Sequence, residues 1–264
     1  MTLFFFGTLR DPALLEIVIG RALRPGEIRP ATAPGRRTWQ IVGEDYPILR
    51  VEAAGSSGAS SGASADGILF APASKAEHEA IAFYEEAEYA LSPITVDTAT
   101  GPVEAHFFDA TDLVTMGPAA WSYDDWYGLD GQGLKRLVAI EAASELMPIA
   151  ATVPVERIND YWPAIMIRAR QRARARLERP ALGTIRGAFS NEEDVRWDAT
   201  ERPFLGFLAL ERHVLRHRLF DGGMSAPLSR ITVAWGDGVT VLPYDPVLDS
   251  VLMIEQFRPG PAAR

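Results

Sequence analysis

A glutamate on the apolar face of a predicted helix could move protons. Ser74-Lys75-Ala76-Glu77 is a capping-box pattern, which predicts a helix that starts there and runs to about Tyr89. Glu85 lies four residues after Ile81 and four before Tyr89, so it shares their apolar face. Because burial disfavours the charged form, the pKa of such a carboxyl would rise toward neutrality. The same pattern also fits a boundary glutamate whose carboxylate reaches solvent.

A glycine turn is the second feature that could serve a reaction. Residues 3–7 form an apolar strand pattern that ends at Gly7, and Asp11-Pro12 then reads as an N-cap followed by proline at the first helical position. Glycine at such a junction lets the backbone approach a ligand, and neighbouring N–H groups can point at a carboxylate or an oxyanion. Many strand–helix turns carry glycine for geometry alone, and this alternative stays open.

Several segments of residues 1–115 match, in order, the motifs of a known family. They are residues 5–10, 46–47, 67–70 and 81–89, which include Phe6-Gly7-Thr8-Leu9 and Tyr84-Glu85. On these residues the N-terminal part of the chain resembles the γ-glutamylcyclotransferase-like (AIG2-like) family. The resemblance implies a small mixed β-barrel with helices.

The resemblance also implies a reaction and a set of site residues. The family's best-known activity cyclises a γ-glutamyl amine to 5-oxoproline and releases the amine. Its catalytic glutamate falls on Glu85, which would take a proton from the attacking α-amine and return it to the leaving nitrogen. The residues that would bind substrate are Phe6, Gly7, Thr8, Leu9, Arg10 and Tyr89.

Three residues depart from the family's pattern. Phe6 replaces the usual tyrosine, Glu86 stands at a usual glycine, and Leu91 stands where arginine is frequent. These departures leave the γ-glutamyl substrate open. They also leave open a non-enzymatic alternative, in which this region is a degenerate ligand-binding or dimerising domain.

The C-terminal stretch carries a second resemblance. Its residues 217–225, 229–230, 236–239, 241–246 and 251–258 are similar to the N-terminal half of a Nudix ADP-ribose pyrophosphatase. On that resemblance, Arg230 and Arg258 would contact ADP-ribose near the phosphates and the base, because a guanidinium fork suits pyrophosphate. By chemistry alone the stretch is a hairpin with an exposed arginine at each end, and surface salt bridges are the alternative role for both.

The Nudix box is absent from the 264 residues. No Arg-Glu-x2-Glu-Glu pattern occurs, so the carboxylates that hold Mg²⁺ in that family are missing. We therefore expect no cofactor for residues 1–264 and Mg²⁺ for a complete Nudix domain, with this chain a piece of a longer protein of the tellurite-resistance type. The alternative to cyclotransfer is a nucleotide-sugar hydrolase in which the N-terminal domain is an accessory, with a homodimer through the Nudix half.

The elements predict an α+β chain in three regions. These are a cyclotransferase-like barrel domain over 1–115, a helical linker over 116–203 and an incomplete Nudix-type mixed sheet over 204–264. Helices are predicted over 121–147 and 155–179, and strands over 204–210, 214–220, 230–235, 238–244 and 251–257.

Arg168, Arg172 and Arg176 share a face of the second helix, which fits a solvated linker or, alternatively, an anion site. Residues 54–65 are all Ala, Gly or Ser, a composition that predicts a surface loop.

Composition limits the classes of partner. The chain is 47% hydrophobic and 23% charged, with a net charge of −9, which argues against nucleic-acid binding and favours a small-molecule substrate. No apolar run reaches the roughly 20 residues of a membrane helix, so no membrane partner is expected. The chain has no cysteine, which fits a cytoplasmic location.

Overall fold

The computed structural model describes residues 1–52, 63–85, 89–110, 114–177, 193–235 and 241–253. The strands are β1 Leu3–Phe5, β2 Ile28–Pro34, β3 Arg36–Ile41, β4 Pro47–Val51, β5 Ser64–Phe70, β6 Tyr89–Thr98, β7 Gly101–Ala110, β8 Met116–Ala120, β9 Val195–Leu205, β10 Ala209–His217, β11 Leu228–Ala234, β12 Tyr244–Asp245 and β13 Ser250–Val251. The α-helices are α1 Pro12–Ile19, α2 Lys75–Tyr84, α3 Tyr123–Tyr127, α4 Leu134–Leu146 and α5 Trp162–Leu177. Short 3₁₀ helices span Thr8–Arg10, Leu129–Gly131, Met147–Ile149 and Val155–Asp160.

Five strands close into a barrel in the order β1-β5-β2-β6-β7. β1 runs antiparallel to β5 and meets β7 in parallel at Leu3 and His106, while the other neighbours are antiparallel. Side chains of all five strands, among them Phe4, Leu69 and Phe107, form one buried cluster. The predicted α+β class and small mixed barrel are confirmed.

Helices cover the outer side of β1. Leu3 and Phe5 point away from Phe4 and join a second cluster that contains the buried face of α1, Trp126 of α3 and Ala143 of α4. α1 begins as predicted, because the Asp11 carboxylate accepts a hydrogen bond from the Ala13 N–H at 3.1 Å. Gly20 then ends the helix in the left-handed conformation, with φ of 74°.

Several predicted elements have different bounds. α2 ends at Tyr84 instead of continuing to Tyr89, since Tyr89 pairs with Ala110 in the β6–β7 ladder. The helix predicted over 121–147 is broken into α3 and α4, because Gly128 and Gly131 both adopt positive φ. The strand predicted over 204–210 is wrong.

That strand is instead the end of β9, a turn over 206–208 and the start of β10. Three strands were not predicted: β2 carries prolines at both Pro30 and Pro34, β8 falls in the predicted helical linker, and β9 is rich in charged residues. Residues 54–62 of the predicted 54–65 loop lie outside the described residues. The last two residues of that prediction, 64 and 65, belong to β5, which begins at Ser64.

The region predicted as a helical linker, 116–203, is not helical throughout and packs on the barrel domain. Within it, β8 pairs with β3, and α4 contacts α1. The start of β9 at Val195 also falls inside it. The three-region division of the chain stays a prediction.

The arginine face of α5 pairs with glutamates of α4, and the pairing buries Arg168. Arg168 is 1% exposed, and its Nε donates to Glu145 at 2.7 Å. Arg172 bridges Glu145 and Glu141, and Arg176 pairs with Glu141. Burial alone would lower the pKa of Arg172, but the hydrogen bonds that it donates to both glutamates raise it. All three arginines are therefore paired with carboxylates. This pairing argues against the alternative prediction of an anion site on this face of α5.

The same network attaches the C-terminal sheet. Arg168 Nη1 donates to the carbonyls of Gly206 and Phe207, at 3.2 and 3.0 Å, in the turn between β9 and β10. The sheet has the order β11-β10-β9 and is antiparallel. Its β11 confirms the strand predicted over 230–235. Ile231 and Val233 of β11 are 70% and 58% exposed; whether a second copy covers them in a homodimer stays a prediction.

No helix in the described part of the chain has the length and apolarity needed to cross a membrane.

Gly67 is required where β5 lies beside β1 in the barrel. A Cβ at this position would overlap the Phe4 ring and lie 2.5 Å from the Phe5 carbonyl oxygen. We expect Gly67→Ala to lower the free energy of unfolding by about 3 kcal/mol through overpacking. Gly20→Ala, which meets open space and only strains a positive φ, should lower it by about 1 kcal/mol. Urea denaturation measures both, and equal losses would contradict the close contact at Gly67.

Candidate functional site

A pocket opens at the end of the barrel where the chain leaves β1. Its empty volume is about 670 Å³, including the space that opens to solvent. It brings together most of the site residues predicted from the sequence. Its lining consists of Phe4, Phe5, Phe6, Gly7, Thr8, Leu9, Tyr46, Pro47, Tyr84, Glu85, Tyr89, Phe108 and Trp162.

The glycine turn forms one wall of this pocket. After β1, residues Thr8–Arg10 make a single 3₁₀ turn, closed by a hydrogen bond from the Arg10 N–H to the Gly7 carbonyl at 3.1 Å. The first N–H groups of a helical turn have no acceptor within it, so they can serve a ligand. Gly7 packs closely on Pro47, because a Cβ there would lie 3.1 Å from Pro47 Cγ.

Glu85 forms part of the opposite wall. It is the C-cap residue of α2, and its backbone N–H donates to the Ile81 carbonyl at 2.9 Å. The residue is half-buried and lines the pocket with Tyr89, which is also half-buried at the start of β6. The prediction that Glu85 and Tyr89 meet at one site therefore agrees with their placement, although the shared helix from which it was argued is wrong. The pKa and catalytic role of Glu85 stay predictions.

Phe6 occupies a buried position beside the pocket. It is 8% exposed, and its ring packs edge-on against Phe107 with the centroids 6.1 Å apart. It therefore contributes an apolar surface to the pocket and belongs to the buried cluster of the barrel.

Arg10 lies behind the turn and does not line the pocket. Its guanidinium carbon is 4.3 Å from the centroid of the Tyr123 ring. Burial lowers the pKa of Arg10, and burial followed by the charge of Asp11 raises the pKa of Tyr123 to about 12. Asp11 in turn pairs with Arg136 of α4 at 2.7 Å. This geometry favours support of the turn, and the substrate-binding role predicted for Arg10 stays a prediction.

The two arginines predicted from the second resemblance lie away from this pocket. Arg230 is an exposed residue of β11, paired across the ladder with His213, and its Nη1 donates to the Ser229 carbonyl at 2.9 Å. Arg258, like residues 236–240 and Glu86, lies outside the described residues. The contacts with ADP-ribose that the resemblance implies for both arginines stay predictions.

Trp162 is a pocket residue that the sequence did not indicate. It begins α5, far along the chain from the motifs of residues 1–115, and only the packing of α5 on α4 brings it to the pocket. Tyr46 and Pro47 were recognised as motif positions but were not assigned to the site. Their place opposite Gly7 could have been inferred from that motif alone.

Within the described residues, no group of three or more His, Cys, Asp or Glu side chains could hold a metal ion. The described residues therefore do not fit a Mg²⁺ site, and no metal-dependent step is assigned to them.

Comparison with known proteins relates a quarter of the chain to one group of enzymes. It is 42% identical over 67 residues to the ADP-ribose pyrophosphatase of Escherichia coli strain K12, covering 25% of this chain and 32% of that protein. It is 35% identical over 72 residues to that of Haemophilus influenzae, covering 27% and 33%. Part of the chain is thus homologous to ADP-ribose pyrophosphatases, and it spans about a third of the length of these relatives.

The comparisons with family models and with solved structures do not assign the chain to a family. No protein-family model matches the chain. Two Arabidopsis thaliana proteins solved in solution are 16% and 19% identical, each with a TM-score of 0.36 over 47% of this chain and over 76% and 71% of their own.

The contact between Gly7 and Pro47 can be tested by a double-mutant cycle. We expect Gly7→Ala to lower the free energy of unfolding by about 2 kcal/mol, because the added methyl presses on the Pro47 ring. In a Pro47→Ala background, the same change should be at least about 1 kcal/mol less destabilising. Urea denaturation of the four proteins gives the coupling energy. Additive losses would place the two residues out of contact.

Proposed function

We propose that this chain contains the ADP-ribose-recognising part of an ADP-ribose pyrophosphatase. The observation that carries the proposal is the 42% identity over 67 residues with the E. coli enzyme of that name. The segments from residue 217 to 258, which resemble the N-terminal half of such enzymes, are of a length that fits within that match.

The geometry around Arg230 supports anion binding. Its side chain is exposed on β11, and among the described residues its guanidinium contacts only the backbone carbonyl of Ser229. By contrast, Arg212 and Arg216 on neighbouring β10 are engaged with Glu201 and Asp198. A planar guanidinium that is not committed to a carboxylate suits a pyrophosphate oxygen pair.

Hydrolysis of the pyrophosphate is not assigned to the described residues. Complete enzymes of the Nudix type need Mg²⁺ to polarise the phosphoryl group, and the described residues lack the carboxylates for it. We therefore propose recognition here, with the metal-dependent step on residues outside the described part.

ADP-ribose binding tests this proposal. We expect titration calorimetry of the 264-residue protein to detect ADP-ribose, and Arg230→Met to weaken binding about 10-fold or more, because a charge-assisted hydrogen bond is lost. Arg212→Met removes the same charge from the adjacent strand, where it is already paired, and should leave the affinity within about 2-fold. Equal effects of the two variants, or no binding by the parent protein, would refute the assignment.

We infer a second activity, γ-glutamylamine cyclotransfer, at the pocket that contains Glu85. The observation that favours it is that Gly7, Thr8, Leu9, Glu85 and Tyr89, the site residues implied by the resemblance, line one pocket. A half-buried carboxylate facing aromatic side chains is suited to exchange protons, and the N–H groups of the turn are suited to hold an oxyanion.

The proposed chemistry needs only these groups. The α-amine of the γ-glutamyl substrate attacks its own γ-carbonyl carbon, and Glu85 accepts the proton that the amine loses. The carbonyl oxygen takes up negative charge near the backbone N–H groups of the Gly7 turn. As the amide C–N bond breaks, Glu85 returns the proton to the leaving nitrogen, which yields 5-oxoproline and a free amine.

A neutral replacement of Glu85 tests this activity. Glu85→Gln keeps the size of the side chain but removes proton exchange, so the rate of 5-oxoproline release from γ-glutamyl-L-alanine should fall by a factor of about 10² or more. Glu79→Gln, an exposed position on the same helix, is the matched control and should retain the parent rate. A parent rate for Glu85→Gln would rule out the assignment of the base.

A further inference from the structure

A second lobe continues the pocket that contains Glu85. It has an empty volume of about 450 Å³, including open space, and shares Thr8, Tyr46, Tyr84 and Trp162 with the first lobe. The shared residues place the two lobes next to each other. A ligand whose reacting end lies beside Glu85 is therefore adjacent to the second lobe.

The far side of this lobe comes from α3, α4 and α5. Trp126, 1% exposed, and Met166 supply apolar surface, while Lys135 and Arg170 supply positive charge. All three helices lie beyond residues 1–115, the stretch that resembles cyclotransferases. The lobe is thus a feature of how this chain packs its additional helices.

One cation in the lobe remains available to a ligand. Lys135 is paired with Asp45 at 3.1 Å, so the two charges largely offset each other. Glu44, the other acidic residue of the lobe, is exposed and already engaged in an interaction. Arg170 is exposed and makes no ion pair with any described residue, in contrast to Arg168 and Arg172 of the same helix.

We propose that the second lobe binds the amine half of the γ-glutamyl substrate and that Arg170 selects amines bearing a carboxylate. This inference rests on the cyclotransfer proposed above. Arg170 is a specificity-determining residue in this scheme: it contacts the leaving group and takes no part in the proton transfers. A carboxylate accepts two parallel N–H bonds from a guanidinium, and the apolar floor at Trp126 and Met166 holds the carbon chain between.

Two ligands that differ by one carboxylate test the proposal. γ-Glutamylethylamine is γ-glutamyl-L-alanine without its alanyl carboxylate. Binding is measured by calorimetry on Glu85→Gln, which keeps the pocket but does not turn the ligand over. We expect the alanine compound to bind about 10-fold or more tightly than the ethylamine compound.

Arg170→Gln in the same background should reduce the preference to within about 2-fold. Arg174→Gln removes an equal charge one turn further along α5, outside the lobe, and should preserve it. Unchanged melting temperatures would show that both exposed substitutions leave the fold intact. A preference that survives Arg170→Gln, or failure of both compounds to bind at millimolar concentration, would overturn the proposal.

Turnover by the parent protein separates this inference from the activity on which it rests. A carboxylate preference in binding without release of 5-oxoproline would reject cyclotransfer and retain the lobe as a binding site. Release at equal kcat/KM from both compounds would reject selection by Arg170 and retain cyclotransfer.

Discussion

Closure of the barrel at β1 is the constraint on which the candidate pocket depends. This strand has only three residues, yet it pairs with β5 on one side and meets β7 on the other. Both of its faces are buried, with Phe4 inside the barrel and Leu3 and Phe5 under the helices. Because neighbouring strands fix both edges of β1 and packing fixes both of its faces, the direction in which the chain continues beyond β1 is also fixed. The Gly7 turn therefore leaves the barrel at a fixed point, facing Pro47.

The second half of the turn is held by charge. Asp11 caps α1 and pairs with Arg136 of α4, and Arg10 stacks on Tyr123. Because Asp11 is 1% exposed, these contacts are little weakened by solvent. The turn is thus positioned from the barrel on one side and from the additional helices on the other, which explains why one pocket is lined by residues from both.

Local signals in the sequence predicted the features that local forces decide. The Asp11 cap of α1 and the Ser74 cap of α2 depend on neighbouring residues, and they lie where the sequence places them. The barrel was predicted by resemblance. The end of α2 could not be read locally, because the pairing of Tyr89 with Ala110, a residue distant in the chain, decides it.

Long-range packing likewise hid part of the site. Trp162 reaches the pocket only because α5 packs on α4, and the arginines of α5 looked solvated because their partners Glu141 and Glu145 lie on another helix. β2 was missed since two prolines argue against a strand, although it pairs with β5 along its whole length. In each case, a partner far along the chain overrides the local preference.

The ionic junction of Arg168 with Glu145 has a consequence for the behaviour of the protein on heating. Hydration of charged groups becomes less favourable as temperature rises, so the penalty for burying this pair falls. The stabilisation from apolar burial reaches a plateau over the same range. Relative to an apolar contact of similar size, the attachment of the β9–β10 turn to α5 therefore strengthens with temperature.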